Sequence, residues 1–98
     1  DMTRKDHPHL ANQLFASYSH VKDVRNLASV IGEEELTAVD HQYLEFGKRF
    51  ERSFVHQGYS ENRSIDQTLD LGWMALSALP AEELQRVTDE EVSEFYGR

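Results

Sequence analysis

Five histidines, a Gly-Lys-Arg step and a run of three glutamates are the residues of this chain whose types invite chemistry. A zinc site needs three or four His, Cys or carboxylate donors at short, fixed spacings. Here His7 and His9 flank Pro8, His20 and His41 stand alone, and His56 follows an apolar helical stretch. No H-E-x-x-H occurs, and no histidine falls into register with a carboxylate set. Nucleophilic catalysis has no anchor either, because serines abound without a G-x-S-x-G. Gly47-Lys48 could end a phosphate-cradling loop, but Arg49 follows where serine or threonine is needed and Gln42 stands where a glycine is needed. The expectation is that the chain holds no catalytic residue, no metal ligand and no cofactor site of its own.

The glutamates remain. Glu33-Glu34-Glu35 makes a compact negative patch beside Leu36, Thr37 and Asp40. Such a patch suits transient contact with Lys and Arg, since each exposed ion pair is worth only ~0–1 kcal/mol. It also suits a purely local role, because acids near a helix N-terminus contribute ~0.3–1 kcal/mol each. The formal charge is −8, concentrated beyond residue 32: residues 1–32 carry four bases and three acids, residues 33–62 three and seven, residues 63–98 three and eight. Nucleic acid is excluded as a partner by long-range repulsion of its phosphates. A basic protein surface fits.

The elements that position these residues are helices. Asp6 with Pro8 reads as a helix start, with Asp6 as N-cap. Leu10, Leu14 and Tyr18, with Ala11 and Phe15 beside them, make one apolar set; Val21, Val24, Leu27, Ala28 and Ile31 make a second. Nothing between residues 18 and 21 forces a break, so one long helix or two shorter ones fit equally. Gly32 ends the run. Thr37 with Asp40 caps the next helix, whose Val39, Tyr43, Phe46, Phe50 and Phe54 recur at steps of three and four and predict the central core helix, ending near Val55. His56 to Arg63 reads as a loop. Ser64 with Gln67 caps another helix, carrying Ile65, Leu69, Gly72, Trp73, Leu76 and Leu79, with Gly72 placed where another helix packs closely. Pro80 stops it and starts a short helix with Glu82 and Glu83, and Thr88 with Glu91 caps a last one bearing Val92, Phe95 and Tyr96. The aromatic cluster and Trp73 are read as core rather than as a ligand-stacking site. The fold class is all-α, a bundle of about five to six helices, two of them short at the C-terminal end.

At 98 residues this is one small domain, 1–98, with 39% apolar residues for a single core and no cysteine for a disulfide or thiolate site. No apolar stretch approaches the ~20 residues of a membrane span, and no signal segment opens the chain. A soluble, cytoplasmic domain without direct membrane insertion is expected.

Several strings carry a resemblance. Thr3-Arg4-Lys5-Asp6-His7 and Asn12-Gln13-Leu14-Phe15-Ala16-Ser17-Tyr18 look like T-R-x-D-H and N-Q-L-F/Y-A-x-Y of the B subunits of archaeal and vacuolar-type ATPases. Ile31-Gly32-Glu33-Glu34-Glu35-Leu36-Thr37 is similar to that family's I/V/L-G-E-x-x-L-S/T. Phe50-Glu51, Val55-His56-Gln57-Gly58, Asn62-Arg63-Ser64-Ile65 and Thr68-Leu69-Asp70-Leu71-Gly72-Trp73, followed by Leu79-Pro80, resemble its F-E, V-N-Q-G, N-R-S/T-I, T-L-D-L/I-G-W and L-P landmarks. The resemblance runs along the whole chain in order.

It implies a helical C-terminal domain below a nucleotide-binding domain, in a hexameric ring of alternating catalytic A and non-catalytic B subunits around a rotating central stalk, coupled to proton or sodium movement. ATP or ADP would bind the parent subunit through that other domain, and the arginine lent to the neighbouring A site would lie upstream, so Arg4 is not it. A first residue inside a family landmark suggests a longer parent; alone, the domain would be monomeric. Residues 34–40 fall where the catalytic subunit of the related F-type enzymes carries D-E-L-S-E-E-D, with Ala38 and Val39 replacing two acids. By that resemblance Glu33, Glu34, Glu35, Leu36, Thr37 and Asp40 are the candidates for contact with the central stalk. The alternative is a free-standing acidic helical adaptor for a basic partner.

Overall fold

The computed structural model describes residues 4–55 and 64–96, and these are helical with no strand among them. A single helix α1 spans His7–Ile31, so the two apolar sets share one rod. A 3-10 turn, Glu33–Glu35, leads to α2, Ala38–Phe50, which runs on into a π turn over Glu51–Val55. Helix α3 covers Ile65–Leu76, a second 3-10 turn Ala81–Glu83, and α4 Asp89–Phe95. The loop expected over 56–63 lies outside the described residues.

The starts obey local chemistry. Thr37, Ser64 and Thr88 each form a full capping box, with Asp40, Gln67 and Glu91 returning the bond to the cap residue's own N–H. The stop after α1 is Gly32, at φ 90°, whose N–H donates to the Ala28 carbonyl at 2.8 Å. The short helix expected after Pro80 is a correction: it is only the 3-10 turn, because Leu84 leaves helical geometry at φ −93°, ψ 80° with its side chain buried. The described residues therefore hold four α-helices rather than five or six.

Asp6 is a second correction. It stands at the N-cap position of α1 in αR geometry and makes no capping bond. Its side chain is wholly buried, accepting from Arg4 Nε at 2.9 Å, Arg4 Nη2 at 3.0 Å and Trp73 Nε1 at 2.7 Å. Stronger donors, the guanidinium of neighbouring Arg4 and the indole of distant Trp73, have won the carboxylate away from the helix end.

The core gathers Leu10, Val21 and Val24 of α1, Tyr43 and Phe46 of α2, and Leu69, Trp73, Ala75 and Leu76 of α3, closed by Leu36, Leu79, Leu84, Val87 and Phe95. α1 is the spine. It meets α3 over Gly72, where an added Cβ would lie 3.1 Å from Leu14 Cδ1 and 3.2 Å from Leu10 Cδ2, as the sequence led us to expect. It meets α2 still more tightly over Gly47, where a Cβ would lie 2.7 Å from Val21 Cγ1. The glycine that failed as a phosphate-loop residue is thus a helix-packing residue. Phe50 is only half-buried, and Phe15, Leu27 and Ile31, expected on the apolar stripe, are exposed.

Candidate functional site

The acidic turn is built between two helix ends and pinned by one residue. Glu35 N–H donates to the Gly32 carbonyl at 3.2 Å and Leu36 N–H to that of Glu33 at 3.1 Å, closing the turn. Leu36 stands apart from the other candidates: its side chain enters the core at 8% exposure, so it anchors the turn rather than lining its surface. Thr37 Oγ1 accepts from the Asp40 N–H at 3.1 Å, and Asp40 Oδ2 from the Thr37 N–H at 3.3 Å. Glu33, Glu34, Glu35 and Thr37 are exposed or partly so, and Asp40 is half-buried. One short segment thus brings all six together, with five on or near the surface.

The electrostatics of the three glutamates are unfavourable within the domain. They follow the C-terminus of α1, the negative end of its dipole, and no base stands in that helix's last turn. They precede the Thr37 cap, so only Asp40 occupies the first turn of α2. The dipole effect fades within one turn, and the local role open to these acids on sequence grounds is therefore weak. None of the three holds an ion pair or a side-chain hydrogen bond among the described residues. Glu33 borders a shallow cleft with Arg25, His41, Leu44, Glu45 and Lys48. Arg25 is already committed there, donating to Glu51 at 2.7 and 3.0 Å.

Most other polar residues singled out on sequence are structural. Tyr18 donates to the same Glu51 at 2.6 Å, which pushes the tyrosine's pKa above its ordinary value and ties the middle of α1 to the end of α2. Burial first, and then the Glu83 carboxylate 2.8 Å from its hydroxyl, likewise push Tyr43 upward. Buried Gln13 accepts from the Arg86 N–H at 2.7 Å and donates to Ser17 Oγ at 2.8 Å, holding the segment before α4 against α1. His9 Nδ1 lies 3.0 and 3.1 Å from the two oxygens of Glu91, and His20 sits edge-on to Tyr43 at 4.3 Å. Among the described residues no group of three or more His, Asp or Glu is placed to hold a metal. No described helix is long and apolar enough to cross a membrane.

Sequence reasoning missed the pairing of Arg4 with Asp6 and Asp70 and of Asp6 with Trp73. The signal was present: these residues belong to two of the strings quoted for the resemblance, and the fold sets one against the other.

The family model described as the C-terminal domain of V and A type ATP synthase matches residues 1–96. The V-type ATP synthase beta chain of Halothermothrix orenii is 54% identical over 94 residues, covering 96% of this chain and 20% of its own length. The V-type ATP synthase beta chain 2 of Clostridium tetani is 55% identical over the same shares. The corresponding B chain of the A-type ATP synthase of Methanopyrus kandleri is 52% identical, with 10% of its length covered. The chain thus spans a fifth or less of the curated relatives it matches.

Proposed function

Since this chain belongs to the family of C-terminal domains of V- and A-type ATP synthases, we propose that it works as the helical C-terminal domain of a non-catalytic B subunit and touches the rotating central stalk through its acidic turn. The parent subunit stands between catalytic A subunits in a ring on the cytoplasmic side of a membrane-bound complex. Nucleotide binding belongs to the parent's other domain, and this domain neither binds nor turns over ATP. The observation that supports a contact role is the placement of Glu33, Glu34 and Glu35: at the surface, without an ion pair among the described residues, and at the helix end where negative charge is disfavoured.

Weak contacts suit a rotating partner. An exposed ion pair contributes ~0–1 kcal/mol, so several form and break as Lys and Arg of a shaft pass. The rigid base beneath them, Leu36 in the core and the Thr37–Asp40 box, lets the patch transmit a push instead of yielding.

The test is the substitution Glu34→Cys, in a domain that has no cysteine of its own, within the full-length protein and assembled complex. Disulfide trapping against cysteines along the central stalk should capture a pair that stops rotation until it is reduced. If the thiol introduced at position 34 stays reactive while no stalk position traps it, the turn does not face the rotor.

A further inference from the structure

Three of the six large apolar side chains exposed among the described residues, Leu27, Val30 and Ile31, fall within five consecutive positions at the end of α1. Single exposed apolar residues are ordinary; a contiguous group is not. Spacings of three and four put all three on one side of the helix. The inner side at this end is occupied by Val21, Val24 and Ala28 packed into the core; among the described residues Val30 stands 80% exposed, and Leu27 and Ile31, at 43% and 42%, lie outside the core cluster. Exposed Asp23 stands one turn before Leu27 on the same side, and Glu33, Glu34 and Glu35 follow directly. The result is an apolar patch rimmed by acids at both ends.

We propose that Leu27, Val30 and Ile31 are the apolar half of the contact whose acidic half is Glu33–Glu35, and that its occupant is a stalk helix presenting apolar side chains beside Lys or Arg. This rests on the stalk-facing reading of the acidic turn. Charge complementarity selects the occupant: a second copy of this chain would set acids against acids, whereas a basic helix answers the rim. The two halves divide the work. Apolar burial is non-directional and barely sensitive to salt, so it holds a helix while letting it slide. The rim is sensitive to salt and sets orientation.

Val30, at 80% exposure, is the residue to change, because it is the most exposed of the three. In the full-length protein within the assembled complex, V30E should raise the rate of stalk loss at least ~10-fold, and V30L should not. The triple variant E33Q/E34Q/E35Q should instead lose the salt dependence of stalk retention. Wild-type retention in V30E, with E34C still trapping on the stalk, overturns the apolar half and leaves the stalk-facing reading intact. Failure of both V30C and E34C to trap on the stalk removes the reading itself. Trapping of V30C on an A subunit overturns the choice of occupant.

Discussion

Replacing Phe46 with alanine is expected to remove about 3–5 kcal/mol of stability, the range for deleting a fully buried phenylalanine. Phe46 has no exposed surface and belongs to the core cluster, its ring 5.8 Å from that of Phe50. At roughly 4–8 °C per kcal/mol for a domain of this size, the unfolding midpoint should fall by about 12 °C or more. A small domain has total stability of roughly 5–15 kcal/mol, so the variant would stand near the limit of folding. The single tryptophan reports it: Trp73 is buried and stacked on Phe95 at 5.6 Å, and its fluorescence will shift on exposure. Phe50 is the internal comparison. It carries ring contacts to Tyr18 at 4.7 Å and Phe54 at 5.2 Å but is only half-buried, so F50A should lose roughly half as much. Equal losses in the two variants, or less than ~1.5 kcal/mol for F46A, would contradict the core assigned to α2.

That contrast shows where sequence reasoning reaches and where it stops. Phe46, Phe50 and Phe54 share a helical register, and register says which side of α2 they occupy but not how far the neighbouring helix covers it. Cover runs out around α1 as well. Leu27 and Ile31 share that helix with Val21 and Val24 yet stand 43% and 42% exposed, because they fall on its outer side while Ala28 at the same level packs against the core. Capping was legible at Thr37, Ser64 and Thr88 because all the atoms involved lie within three residues. Gly32 was legible for the same reason. The continuity of α1 was open because no side chain between residues 18 and 21 prefers either outcome, and packing along the whole rod decides it. In the candidate site the glutamates were visible as a run. The inward turn of Leu36 was not, since it depends on where the core lies, nor was the lack of an ion pair at those glutamates among the described residues.

Asp6 is the residue sequence placed correctly and read wrongly, and its substitution should have the other large effect. Asp6→Ala removes one partner of a buried pair, which costs ~3–5 kcal/mol in general. Here about 3 kcal/mol is expected, because Arg4 keeps 22% exposure and still reaches Asp70 at 2.8 Å. The damage spreads through Trp73, whose buried Nε1 loses its acceptor, and through the Arg4 guanidinium, now seated 4.5 Å over the Phe95 ring. Burial alone would raise the Asp6 carboxyl, but the hydrogen bonds from Arg4 and Trp73 outweigh it and hold its pKa below the ordinary carboxylate value. A carboxyl with a lowered folded-state pKa stabilises the fold above its unfolded value, near pH 4. That contribution is lost as pH falls from there through the lowered folded value, because the unfolded chain takes up the proton first. Asp6→Asn separates charge from shape: it keeps an acceptor for Trp73 but nothing to titrate. Denaturant unfolding of the two chains from pH 7 to pH 2, followed by Trp73 fluorescence, should show the wild-type advantage constant above about pH 5 and shrinking below about pH 4. The other carboxylates lower the stability of both chains together, so the difference isolates Asp6. A gap that stays unchanged down to about pH 2 would mean that the Arg4–Asp6–Trp73 link holds by shape alone.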